Sequence, residues 1–167
     1  MNPIDKVNKL SKSDFISIFG NVFEKTTWMA EKVFVYKPFE NFDKLSKKFL
    51  DTFENEQKEN HLKILNAHPE LAIEKIMTTD SKKEQNNAQL DQCTEEELEE
   101  FIKLNKEYKQ KFNFPFIIAV SGKSKIEILN NFRKRINSDP QVEFEEAIKQ
   151  VKKIASLRLK SLNSKNI

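Results

Sequence analysis

The stretch Thr94-Glu95-Glu96-Glu97-Leu98-Glu99-Glu100-Phe101-Ile102-Lys103-Leu104-Asn105-Lys106-Glu107-Tyr108-Lys109-Gln110-Lys111-Phe112 decides the fold class. Thr94 and Glu97 stand at the spacing of a capping box, in which each side chain accepts the other residue's backbone N–H. Behind them Leu98, Phe101, Leu104, Tyr108 and Phe112 recur every three or four residues, as on one face of an α-helix. The same period extends in both directions. Towards the N-terminus, Ser13 heads a helix carrying Phe15, Ile16, Ile18, Phe19, Val22 and Phe23. Residues 28–36 read as a short helix ending before Pro38. Phe42, Leu45, Phe49, Leu50 and Phe53 mark the next, and Leu62 and Leu65 continue to a break at His68-Pro69. Towards the C-terminus lies a helix with Ile126, Leu129, Phe132 and Ile136. Asp139-Pro140 then opens a last one, with Phe144, Ile148, Val151, Ala155 and Leu159 as its inner face. The expectation is an all-α, single-domain bundle of seven to eight helices over residues 1–167, with its core at about 13–162.

Composition narrows the chemistry. The chain has 167 residues but only two glycines, Gly20 and Gly122. Phosphate-cradling loops, dinucleotide fingerprints and nucleophile elbows need clustered glycine, so P-loop, Rossmann and G-x-S-x-G enzymes are excluded. Many-turned β folds are disfavoured on the same ground. Net charge is +3, but six acids and no base fall within residues 91–100, and six bases and no acid within 149–167. These runs read as solvated helix faces. The basic tail has no interleaved aromatic residues, which argues against a nucleic-acid surface. Cys93 is the one cysteine, so no disulfide framework or C-x-x-C metal pair is expected. No apolar leader, membrane span or peroxisomal ending is read, and a cytoplasmic location is expected.

Residues 114–120, Phe-Pro-Phe-Ile-Ile-Ala-Val, break the helical pattern. They read either as a buried extended stretch or as a helix starting at Pro115. An extended stretch without a sheet partner leaves backbone N–H and C=O groups for a ligand. His68 precedes a proline and so sits at a corner between elements. It is a proton-transfer group suited to neutral pH, or a surface or capping histidine. His61 reads as solvent-facing. Ser81-Lys82-Lys83-Glu84-Gln85 is a capping box by spacing, with Ser81 as cap, or a polar grip for an anionic heterocycle. Arg158, between Leu157 and Leu159, is either a surface base or an inward guanidinium.

In order, the chain contains Phe19-Gly20-Asn21-Val22-Phe23-Glu24, Trp28-Met29-Ala30-Glu31 and Leu65-Asn66-Ala67-His68-Pro69-Glu70-Leu71-Ala72. Ser81-x-x-Glu84-Gln85-x-x-Ala88-x-Leu90, Phe101-x-x-Leu104-Asn105-x-x-Tyr108, Phe112-Asn113-Phe114-Pro115-Phe116-Ile117-Ile118 and Ile154-Ala155-x-x-Arg158-Leu159 follow. Together these resemble the OHCU decarboxylase family (2-oxo-4-hydroxy-4-carboxy-5-ureidoimidazoline decarboxylase) over nearly the whole chain. Gln89 and Asn113 depart from it, Gln89 standing where the family usually has glycine and Asn113 where glycine often precedes Phe-Pro-Phe.

The resemblance implies decarboxylation to (S)-allantoin, the last step from urate. It makes His68 the catalytic acid/base, Glu84 its carboxylate companion and Arg158 the stabiliser of negative charge. Pro69, Ser81 and Gln85 are implied ligand contacts, as is the backbone of Phe116, Ile117, Ile118, Ala119 and Val120. The chemistry needs no cofactor, because the substrate's own ring C=N bond takes the electron pair released with CO2, and no metal ligand is assigned. A homodimer is implied, and the fourteen phenylalanines support it if short helices cannot bury them all. No nucleic acid or membrane partner is expected. The competing reading is a non-catalytic helical protein-binding adaptor, for which His68, Glu84 and Arg158 are scattered surface residues.

Overall fold

A computed structural model of the chain describes residues 2–73 and 78–165, and Asn166 and Ile167 of the basic tail lie outside the described residues. Among the described residues every regular element is a helix: α1 (Pro3–Lys9), α2 (Lys12–Phe19), α3 (Thr27–Phe34), α4 (Phe42–Glu54), α5 (Lys58–Asn66), α6 (Thr79–Asn87), α7 (Glu95–Phe112), α8 (Lys125–Arg135) and α9 (Pro140–Ser164). Nine helices replace the seven to eight expected. The addition is α1, seven residues with only Ile4 and Val7 buried, too short for a periodic signal. The chain divides into two compact units, one formed by Met1–Ile64 with Lys152–Ile167 and the other by Leu65–Val151.

The first unit is built on phenylalanine. Phe15 and Phe19 of α2 and Phe49 of α4 are fully buried, with ring centroids 4.7 to 6.2 Å apart. Phe23, just beyond α2, lies 4.9 Å from Phe53. Ser11, not Ser13, caps α2, its hydroxyl accepting the Asp14 N–H at 3.1 Å. That register puts Phe15 and Phe19 on the inner face. Asn8 of α1 brackets Phe39, donating to its carbonyl at 2.8 Å and accepting its N–H at 2.7 Å. His61 is not solvent-facing. Its Nε2 lies 2.6 Å from the Phe53 carbonyl, and the two rings are 5.0 Å apart.

In the second unit the Thr94–Glu97 capping box forms as expected, and α7 buries Phe101, Leu104, Tyr108 and Phe112. Three helix faces differ from the sequence reading. In α7, Leu98, at the first turn of the expected inner face, is 37% exposed. In α8, Ile126 is 65% exposed and Ile128 takes its place inside. In α9, Phe144 and Ile148 are only half-buried, while Glu143, Ala147, Gln150 and Val151 face inward. An apolar period places an inner face around its greasiest residues. It misplaces that face where the interior needs a carboxylate and a carboxamide. All of residues 114–120 are buried without helix or sheet, which resolves the two readings in favour of the extended one.

Candidate active site

The His68 corner is fastened at almost every residue. The His68 N–H bonds back to the Leu65 carbonyl at 3.2 Å, and the side chain is only 8% exposed, so it is no surface histidine. Asn66, at the end of α5, donates to the Asn113 carbonyl at 3.3 Å, tying the corner to the segment that runs into residues 114–120. Beyond Pro69, Gln85 donates to the Glu70 carbonyl at 3.3 Å and accepts the Ala72 N–H at 3.1 Å. Asn105 of α7 donates to the Leu71 carbonyl between them at 3.0 Å. Ala72 has φ 60°, a left-handed conformation that a residue with a Cβ holds only when its surroundings impose it. Here the Gln85 carboxamide and Asn105 do so.

Helix α6 supplies Ser81, Glu84 and Gln85 from successive turns. Ser81 is not its cap. Thr78 is, accepting the Ser81 N–H at 3.3 Å, so the helix starts earlier and Ser81 lies inside its first turn. With Asp80 also in that turn, the Thr78 start suits both the orphan N–H groups and the macrodipole. At i and i+4, Ser81 and Gln85 share the buried face, and Glu84 beside them is half-buried. With the Glu70 and Ala72 bonds made, Gln85 serves here to hold the corner loop.

The backbone of residues 116–120 is only partly open to a ligand. Arg135 Nη1 donates to the Ile117 carbonyl at 2.7 Å, the Ala119 N–H donates to Gln150 at 2.9 Å, and Lys123 donates to the Ala119 carbonyl at 2.9 Å. The Arg135 guanidinium is held by Glu143, with Nε 2.8 Å and Nη2 2.6 Å from Oε1. The Nη2 hydrogens are not aimed along that line, and that nitrogen makes no hydrogen bond. The Tyr108 hydroxyl donates to the same oxygen at 2.5 Å. Burial, and then the Glu143 carboxylate, push the Tyr108 phenol far above the usual tyrosine range, so it stays a donor. Burial raises the Cys93 thiol too, which makes it a poor nucleophile. Among the described residues, no three His, Cys, Asp or Glu side chains gather to hold a metal ion, and no helix is long and apolar enough to cross a membrane.

Arg158 belongs to the first unit and is turned inward, 6% exposed. Its Nη1 donates to the Asn21 carbonyl at 2.8 Å and lies 3.4 Å from Oε1 of Glu24, a carboxylate with no exposure at all. Both stand in the Phe19–Glu24 piece quoted above. The other expected site residues, His68, Pro69, Ser81, Glu84, Gln85, Phe116, Ile117, Ile118, Ala119 and Val120, all belong to the second unit.

The sequence profile of OHCU decarboxylase matches residues 8–160, nearly the whole chain. The chain belongs to the OHCU decarboxylase family. A 2-oxo-4-hydroxy-4-carboxy-5-ureidoimidazoline decarboxylase of Haloferax volcanii is 33% identical over 93% of this chain and 93% of its own length. A uric acid degradation bifunctional protein of Bacillus sp. strain TB-90 is 36% identical over 97% of this chain, which spans only 32% of that longer protein. A crystal structure of OHCU decarboxylase in the presence of (S)-allantoin superposes with a TM-score of 0.74 at 26% identity, covering 87% of this chain and 97% of that one.

Family membership gives Gln89 and Asn113 a physical meaning. Both have positive φ, 62° and 65°. Gln89 follows α6 in a Schellman arrangement, with the Leu90 N–H on the Gln85 carbonyl and the Gln89 N–H on the Asn86 carbonyl. Glycine is the residue such a position favours. The sequence reading missed Glu24, Asn105, Arg135, Glu143 and Gln150. Two of them, Glu24 and Asn105, were visible as polar letters inside the quoted family pieces, but no periodic signal marks a polar residue as buried.

Proposed function

We propose that this chain is a carboxy-lyase that converts OHCU to (S)-allantoin in urate degradation. The observation that carries the reading is the family match over residues 8–160 combined with a buried His68 in a tightly fastened corner. The bond from the ring carbon to its carboxylate breaks and CO2 leaves. The electron pair passes into the neighbouring ring C=N bond, and a proton returned to one face sets the configuration of the product. His68 is assigned that proton, and Glu84 the task of holding the imidazole in one tautomer. Arg158 is assigned the anionic carboxylate, because a guanidinium stays charged and can bind two oxygens at once. Ser81, Gln85, Pro69 and the backbone of residues 116–120 are assigned contacts to the ring and ureido groups. Buried positions for His68 and Arg158 fit this reading better than an adaptor that needs them on the surface.

A homodimer in the cytoplasm belongs to the same proposal. Surplus phenylalanine does not drive association, since none of the fourteen is exposed. Its support is aliphatic instead, from exposed residues such as Val35, Ile126 and Val142. Sedimentation equilibrium at high micromolar concentration should give about twice the 19.7 kDa chain mass, and a lone 19.7 kDa species removes the dimer. The deciding experiment for the reaction adds the protein to freshly generated urate-oxidation product and follows circular dichroism for one-handed allantoin. His68→Gln should lower the decarboxylation rate by about 10²–10⁴-fold. Near-full stereospecific turnover by that variant would make His68 a corner residue and nothing more.

A further inference from the structure

We propose that Arg135, Glu143, Tyr108, Gln150 and Lys123 are positioning residues. They set the Ile118 N–H, the Ile118 C=O and the Val120 N–H as a donor–acceptor–donor edge for the substrate's ring or ureido group. The proposal rests on the decarboxylase reading above. It follows from the planarity of the peptide unit, in which the C=O and the N–H of a trans bond point in opposite directions. The one cis bond among the described residues is Lys37-Pro38, so these peptides are trans. Arg135 grips the Ile117 carbonyl, which turns the Ile118 N–H of the same peptide away from Arg135. Gln150 accepts the Ala119 N–H, which turns the Ile118 carbonyl away from Gln150. Lys123 grips the Ala119 carbonyl, which turns the Val120 N–H away from Lys123. Three consecutive peptides are thus held by one end each. The other three ends meet no hydrogen-bond partner among the described residues, although Ile118 and Val120 are 5% and 6% exposed.

Such an edge complements an N–H flanked by two oxygen-bearing carbons, as the ring N–H of OHCU lies between its 2-oxo and 4-hydroxy carbons. Its stiffness comes from the assembly behind it. The Arg135 guanidinium lies 4.3 Å over the Phe116 ring, and Glu143 holds it from the side. Glu143 is in turn fixed by Tyr108, and the residues Arg135, Glu143 and Tyr108 are 7%, 1% and 0% exposed. A buried ion pair adds little net stability over well-packed apolar residues. Orientation is what this one supplies that apolar packing cannot.

The test is steady-state kinetics and product chirality on the full chain with freshly generated OHCU. Arg135→Lys keeps a cation beside Glu143 but loses the fork that reaches both Glu143 and the Ile117 carbonyl. KM should rise about tenfold and the excess of (S)-allantoin should fall, with the pH profile of kcat unchanged. Lys123→Met, which removes only a half-buried grip, guards against a folding defect. It should raise KM about threefold, and Lys123→Arg should restore it. A merely structural role lowers the active fraction and leaves KM and chirality alone, and that result in both variants overturns the proposal. Failure of the unmodified chain to make one-handed allantoin instead overturns the decarboxylase reading, and this proposal with it.

Discussion

In the first unit, fully buried phenylalanine rings pack directly on one another, Phe15 against Phe19 and Phe49, and Phe23 against Phe53, and the buried polar residues Glu24, Thr26 and Arg158 gather at the non-helical stretch 21–26. In the second, the interior is threaded with polar side chains: Gln85, Asn105, Arg135, Glu143 and Gln150 are each 7% exposed or less. Each of these touches non-helical backbone or holds another side chain that does. The two interiors solve different problems. Helices satisfy their own backbone, so they can be packed with hydrocarbon alone. The corner at residues 69–72 and the stretch 116–120 have no helix to satisfy them, and side chains must serve instead.

The sharpest way to break this contrast is a change that keeps shape and removes charge. Glu143→Gln is nearly isosteric, yet it leaves the buried Arg135 guanidinium without its carboxylate. A loss of about 3 kcal/mol or more is expected, read from urea unfolding as a fall in midpoint with an unchanged slope. Tyr108→Phe removes only the hydroxyl on Glu143, a bond to a charged group, and should cost about 1.5–2 kcal/mol. Phe49→Leu in the first unit alters shape much more but stays apolar, and should cost about 1–1.5 kcal/mol. If Phe49→Leu proves the most damaging of the three, the second unit is an ordinary hydrophobic core and the contrast is lost.

The same contrast explains what the sequence made legible. Helix period located α2 to α5 and α7 to α9, because apolar residues at three- and four-residue spacing are the direct imprint of a helix packed on hydrocarbon. Helix α6, which has no apolar residue, was marked only by capping-box spacing. It also isolated residues 114–120 as the one apolar run without that period. Inside the second unit the rule weakened. Glu143 and Gln150 occupy inner positions of α9 that an apolar pattern assigns to Phe144 and Ile148. Ser81 was read as a cap because Ser-x-x-Glu has the right spacing, while Thr78 three residues earlier does the capping. Of the candidate site, the corner at His68 was legible from its proline. Its fastening by Gln85 and Asn105 was not, because long-range bonds between a side chain and loop backbone leave no local mark.

The smallest effect concerns backbone conformation. Among the described non-glycine residues with positive φ, Lys25 belongs to the first unit and Ala72, Gln89 and Asn113 to the second. The left-handed conformation costs a residue with a Cβ about 1–2 kcal/mol, and glycine escapes that cost while losing about 0.4–1 kcal/mol through its freer unfolded chain. Gln89 is exposed, so its side chain offers little in compensation. Gln89→Gly should therefore stabilise the protein by about 0.5–1 kcal/mol. Asn113→Gly should gain less, within about 0.5 kcal/mol of zero, because asparagine tolerates the left-handed region through local hydrogen bonding. Urea midpoints of the two variants decide the matter. Equal gains at both positions would mean that the turn and not the side chain sets the strain. A loss at Gln89 would mean that its carboxamide holds the end of α6 in a way that glycine cannot replace.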